Sequence, residues 1–387
     1  MQLRHTQIKI CSVTRKILHY SLIWPSEENE NNPRRSQKFN IFIFLLITTP
    51  WCFSILMHLL VTLKDKVDVN VSEDVALIVC FLGTYYSVFA FTKNQSKIAL
   101  LLQDLSNFER YGMPSGFKNL EKKLNIWSKC AFIYAIFAVV VYSLIKFVQR
   151  SKCQKNNAQK NLDENCGFPT AIWSPIDINY FPVYQMVYFY VMVSIQTLMK
   201  LVFIISFLML EMAHYVVLRI EHLEKMIEEC FESRNMAIRK RKMIECILYH
   251  TEILEYSARL SNCFFNDMFA HLTMTAAICG CLEKSFIDGE SQVCTLVHIF
   301  GWILSLFFAC YGGQHLMSAS DLFPTKIWNS LWYQGELSLQ KDVIFMLFRS
   351  QKTLSVAAGP FDVVSFSLFV SVMKMSYTIM CYLTKGK

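Results

Sequence analysis

Long apolar runs separated by polar and charged segments dominate the chain, at about 39–63, 75–91, 130–148, 184–210, 268–287, 293–311 and 363–383. A bilayer hydrocarbon core about 30 Å thick needs about 20 predominantly apolar helical residues to cross it. A helix also pairs its own backbone groups, which lipid cannot do for it. Each run therefore predicts a transmembrane helix. The second and fifth are the weakest, because Gly83, Gly280 and Glu283 dilute their apolarity. The short alternating segments of a transmembrane β-barrel are missing. The expected fold class is all-α: a polytopic membrane protein with seven transmembrane helices.

Composition agrees with that pattern. Of 387 residues, 53% are apolar and only 18% charged, and the mean hydropathy is +0.31, too apolar for an ordinary soluble domain. The formal charge of +8 does not indicate nucleic acid, because Lys and Arg lie in loops beside the spans and not in a compact basic tract. They are concentrated in the first segment and in the loops after spans two, four and six. The positive-inside rule then places the N-terminus in the cytoplasm and the C-terminus outside, opposite to a G-protein-coupled receptor. The Asp-Arg-Tyr and Asn-Pro-x-x-Tyr signatures of such receptors are absent as well. The first 38 residues are polar and lack the apolar core of a cleavable signal peptide. The expected organisation is a cytoplasmic segment 1–38, transmembrane helices one to four in 39–213, a cytoplasmic helical docking segment 214–267, and helices five to seven in 268–387.

Smaller features refine this picture. Cys153 and Cys166 lie in the loop between spans three and four, on the expected outer side where disulfides persist. A bridge between them is expected; the alternative is two free thiols in a chain with 14 cysteines, most of them small apolar fillers. The sequon Asn70-Val71-Ser72 also falls outside, close to a span, whereas Asn94-Gln95-Ser96 falls inside. Span four runs straight into a helical pattern in which Leu218, His222, Met226, Cys230, Ile244, Ile247, Leu248 and Leu254 alternate with charges. Such an element either docks on other helices or subunits or lies on the inner leaflet, as the cluster Arg239, Lys240, Arg241 and Lys242 would favour.

No zinc helix, phosphate-binding glycine loop, nucleophile elbow or Cys-x-x-Cys pair is present, so neither an enzyme nor a metal or cofactor site is expected. Within the spans Glu283 is the candidate acid and Lys200 the main base, with Lys146 and Lys374 also inside spans, a thin basis for a transporter. Aromatics are more informative. Tyr85, Tyr86, Phe89, Phe132, Tyr134, Phe137, Tyr142, Tyr184, Tyr188 and Tyr190, with Met192, fit either an apolar pocket with a few hydroxyls or ordinary helix packing.

The last third adds a resemblance. Tyr311-Gly312-Gly313-Gln314, Trp328, Trp332-Tyr333, Phe348-Arg349-Ser350-Gln351-Lys352, Gly359, the run from Phe361 through Asp362 and Ser365 to Phe369, and Met375-Ser376-Tyr377-Thr378 resemble the insect odorant receptor family. The resemblance implies a ligand-gated, non-selective cation channel in the plasma membrane of a sensory dendrite, embedded in membrane lipid and assembled as a heterotetramer with the odorant co-receptor. This chain is similar to the odorant-binding subunit, since it lacks the co-receptor's long cytoplasmic insertion. A gustatory-type homomeric channel is the alternative. The family's pocket, between spans two, three, four and six, implies contacts from Tyr85, Phe89, Tyr134, Phe137, Val141, Tyr188 and Met192 to a small apolar odorant. Its last span lines the pore, and helical spacing puts Thr378, Tyr382 and Lys385 on one face there.

Overall fold

The computed structural model describes residues 8, 10–24, 33–64, 71–160, 164–233, 235–289, 292–360 and 362–385. They form helices α1 (Ser12–Tyr20), α2 (Pro33–Lys64), α3 (Ser72–Ser106), α4 (Phe117–Val148), α5 (Arg150–Lys160), α6 (Val183–Glu232), α7 (Met236–Ile287), α8 (Gln292–Trp328), α9 (Leu337–Ser350) and α10 (Phe366–Lys385). A two-stranded antiparallel pairing of Ala357–Ala358 with Asp362–Val363 precedes α10. Asn70, the sequon asparagine, lies outside the described residues.

Among the described residues, six helices are long and apolar enough to cross a membrane: α2 from Gln37, α3, α4, α6, α8 with the short turn that follows it, and α10. The expected fifth span is the C-terminal half of α7. It is helical throughout, but His271, Glu283 and Lys284 make it more polar than the others. Burial explains how it carries them. The half packs between α3, α6, α8 and α10, with His271 and Lys284 buried and the Glu283 carboxylate accepting from Ser376.

Helix α6 is the axis of the bundle, since its most apolar stretch is wholly buried by its neighbours. The helices are also longer than their spans. At one end of the bundle, α6 beyond Leu210, α7 before Asp267 and the last turns of α8 join α9 in a second helical layer past the start of α10. The expected helical segment 214–265 is thus two helices, because the chain breaks after Glu232 and Asn235 caps α7 by accepting from the backbone N–H groups of Ala237 and Ile238. Its inward face is Leu223, Ile227, Cys230, Met243, Cys246 and Ile253, whereas Ile244 and Leu248, assigned to that face by spacing, are exposed.

The expected last span, 363–383, begins three residues later as α10. Ser365 turns the chain into the helix, its hydroxyl accepting from the Leu368 N–H at 3.2 Å. The Gly312-Gly313-Gln314 sequence of α8 holds this entry. A Cβ on Gly313 would collide with the Val364 carbonyl oxygen, and Gln314 Oε1 accepts from the Phe366 N–H. Further along, a Cβ on Gly280 of α7 would lie 2.9 Å from the Ser376 carbonyl, so that glycine sets how closely α7 and α10 approach.

Candidate functional site

The start of α3, the end of α4, the first half of α6 and the start of α8 converge at the end of the bundle opposite the second layer. The connection between α5 and α6 covers this end. Cys153 of α5 is bonded to Cys166, with a Cα–Cα distance of 5.7 Å. Trp51 donates to Thr170 at 3.0 Å, Ser54 donates to the Trp173 carbonyl at 2.7 Å, and Tyr184 donates to the Gly167 carbonyl at 3.1 Å. The disulfide and these three bonds fasten the connection to α2 and α6.

Beneath it is a cavity of about 100 Å³. Its walls are mainly apolar: Leu77 from α3, Ala138 and Val139 from α4, Met199 and Phe203 from α6, and Trp302 from α8. Polar groups are few. Tyr142 donates its hydroxyl to Glu73, which also receives Lys146 at 2.9 Å, and the Tyr142 ring meets that of His298 edge-on at 6.0 Å. The His58 ring bonds Asp74 at 2.7 Å one residue further on. An apolar chamber with a polar cluster at one end is the usual make-up of a small-molecule site.

The residues expected from sequence are distributed unevenly around it. Among the described residues, Tyr134 alone of the seven lines the cavity, its hydroxyl 3.5 Å from the Val297 carbonyl. Tyr85 turns toward α2, donating to Thr48 at 3.0 Å. Phe89 and Phe137 point out of the bundle, 68% and 62% exposed. Val141 is half-buried on α4 beside the lining residue Tyr142. Tyr188 lies nearer the covered end, donating to the Ser143 carbonyl and stacking with Tyr184, and Met192 is half-buried on the same helix. Sequence reasoning missed Ala138, Met199, His298, Trp302 and Ser305. One signal was available: His298 and Ser305, seven residues apart, are polar positions on one face of an apolar span.

From the cavity a run of aromatic contacts leads to α10. Tyr134 meets Phe203 at 6.2 Å, Phe203 meets Phe308 at 6.2 Å, and the neighbouring Phe307 meets Phe366 and Phe369 of α10, each at 5.9 Å. Helix α10 buries Leu368, Val372 and Ser376 and leaves its other face exposed. That face carries Ser367, Ser371, Lys374, Thr378, Tyr382 and Lys385. Thr378 and Lys385 are exposed, and Tyr382 is 80% exposed.

The family model described as "7tm Odorant receptor" matches residues 68–377. The chain belongs to the insect odorant receptor family. Odorant receptor 24a of Drosophila melanogaster is 26% identical over 161 residues, 41% of this receptor and 39% of the relative. Odorant receptor 67c of the same species is 20% identical over 368 residues, covering 89% of this receptor and 88% of the relative. The chain aligns with less than two thirds of the length of several such relatives, 33% in the case of putative odorant receptor 92a. In structure, the receptor is similar to the insect olfactory receptor OR5 from Machilis hrabei in complex with eugenol, with a TM-score of 0.75 at 14% identity and 97% coverage of both chains. The same receptor solved without that compound gives a TM-score of 0.73. At that identity the likeness establishes the fold.

Proposed function

We propose that the receptor is the ligand-binding subunit of a ligand-gated, non-selective cation channel in the plasma membrane, opened by a small apolar odorant and assembled with the odorant co-receptor. The observation that carries this reading is the exposed face of α10. A helix whose outer face met lipid would not place Ser367, Ser371, Lys374 and Thr378 along it, since charged and polar side chains in a span turn to protein or to a water-filled path. A central pore shared with other subunits supplies that surroundings, with Thr378, Tyr382 and Lys385 toward it. The N-terminus lies in the cytoplasm, and the C-terminal half of α7 completes seven spans.

The second helical layer then belongs to the cytoplasm and to subunit contacts. Ile244 and Leu248 of α7 and Ile344, Phe345 and Phe348 of α9 are apolar and exposed there, as an unpartnered interface would be. The ligand enters the α3–α4–α6–α8 cavity. Its contacts repack Phe203, and the aromatic contacts from Phe203 to Phe366 pass the change to α10. A ligand opens the channel only in so far as it binds the open state more tightly than the closed one.

The test is whole-cell recording from cells expressing the receptor with and without an insect co-receptor, with G-protein signalling blocked and apolar volatiles applied. Fast cation current that needs both chains is expected. Current from the receptor alone would indicate a homomeric channel instead, and the absence of current despite surface expression of both chains would contradict the channel reading.

A further inference from the structure

Two residues that line the cavity each carry a buried polar atom without a hydrogen-bond partner among the described residues, His298 at Nε2 and Ser305 at Oγ. They stand two turns apart on one face of α8, about 10 Å along its axis. Between them α8 presents Gly301 and Trp302, and Met199 and Val202 of α6 line the same chamber. Buried polar groups are nearly always paired, and an orphaned one is costly in an apolar setting. The other hydroxyl side chains that line the cavity have partners: Tyr142 donates to Glu73, Thr170 accepts from Trp51, and the Tyr134 hydroxyl lies 3.5 Å from the Val297 carbonyl. His298 is the ring at that end whose Nε2 is unpaired among the described residues.

This selects a ligand chemistry. A pure hydrocarbon would fill the chamber and leave both atoms orphaned. An ionised ligand would lose its hydration among apolar walls while Glu73 and Lys146 already neutralise each other. Resting on the reading of the cavity as the odorant site, we propose that the ligand is an uncharged apolar molecule bearing oxygen. Its hydroxyl or carbonyl bonds His298 Nε2, and its body lies along Gly301 and Trp302. Imidazole serves either case, since its tautomer decides whether Nε2 donates or accepts. A longer ligand with a second oxygen reaches Ser305.

The test measures binding to the purified full-length receptor in detergent micelles by titration calorimetry. The probes are matched sets of hydrocarbon, primary alcohol and aldehyde on a common skeleton, together with the corresponding terminal diols. The expected result is that an alcohol or aldehyde binds about tenfold more tightly than its hydrocarbon, the worth of one well-made hydrogen bond. H298F abolishes that advantage, read as the ratio of alcohol to hydrocarbon affinity within the variant itself. H298Q, which keeps a hydrogen-bonding group, retains part of it, as a merely packing role would not allow. S305A weakens only the diols. Hydrocarbons binding as tightly as their oxygenated partners, an advantage that survives H298F, or no binding by any set would each overturn the proposal. Binding is read without current, so it stands or falls separately from the channel reading.

Discussion

Ser376 of α10 donates its hydroxyl to Glu283 of α7 at 2.7 Å, and the other carboxylate oxygen of Glu283 is buried without a partner among the described residues. The bond joins the proposed pore helix to the element behind it, close to the tight approach at Gly280. S376A removes the only described partner of a half-buried acid, which costs about 1–3 kcal/mol in the state that makes the bond. If that state is the closed one, S376A raises the resting current and lowers the ligand concentration for half-maximal opening about tenfold or more, while E283Q, which can still accept, has a smaller effect. Recording both variants beside the parent measures this directly.

A change at Phe203 separates binding from opening. Its ring lines the cavity and touches Phe308, the first contact on the path to α10. F203L keeps an apolar wall and loses the aromatic contact. Ligand binding to the purified protein is expected to change by less than about threefold, whereas the maximal current falls by about half or more, within the 0.5–2 kcal/mol range of coupling changes. An equal loss in both would place Phe203 in binding alone.

Arg219 holds the second layer together. Fully surrounded on α6, it donates to the carbonyls of Leu105 and Asn107 at 2.8 and 2.7 Å and packs over Phe108 at 4.4 Å. The carbonyls at the end of α3 otherwise have no helical partner. R219A leaves them unpaired and opens a cavity, a loss on the order of 3 kcal/mol. Thermal unfolding of the purified variant is expected at a clearly lower temperature, with reduced surface expression. R219K, which offers one ammonium in place of a planar fork, restores only part of the loss.

Acid weakens the same layer through His250. Burial against Phe323, with Arg349 nearby, holds its imidazole down at about 4, below its ordinary 6.5, and Lys352 lines the adjoining pocket. The sign follows from linkage: below about pH 6.5 the unfolded chain takes up a proton that the folded one refuses, so stability falls as pH drops toward 4. Unfolding temperatures measured between about pH 7.5 and 5 should decline less steeply in H250F than in the parent. Equal slopes would remove His250 from the acid response.

The parts legible in the sequence are those that length and charge determine. Apolar runs such as 184–210 and 293–311 lie within long helices because a bilayer demands about 20 apolar residues whatever their order. Cys153 and Cys166 were legible as a pair from their shared loop. Rotation of the helices was not. In lipid the outer face of a span is as apolar as its inner face, so the aromatics of Phe89 and Phe137, read as pocket residues, carry no mark that distinguishes them from Phe203. The break before Asn235 was hidden because apolar positions at helical spacing continue on both sides of it. His298 and Ser305 were visible as polar residues within a span, but only the packing shows His298 Nε2 and Ser305 Oγ without a partner among the described residues.

In the proposed mechanism, ligand occupying the cavity beneath the disulfide loop opens the channel. Ala138 lines that cavity and is half-buried on α4, so A138W fills the chamber with a bulky ring. The decisive measurement is whole-cell current from A138W and the parent receptor, each expressed with the co-receptor at matched surface levels, under ligands that open the parent. The evoked current is expected to vanish in A138W while the receptor still reaches the surface with its partner. Undiminished current at unchanged ligand concentrations would contradict it and move the site elsewhere.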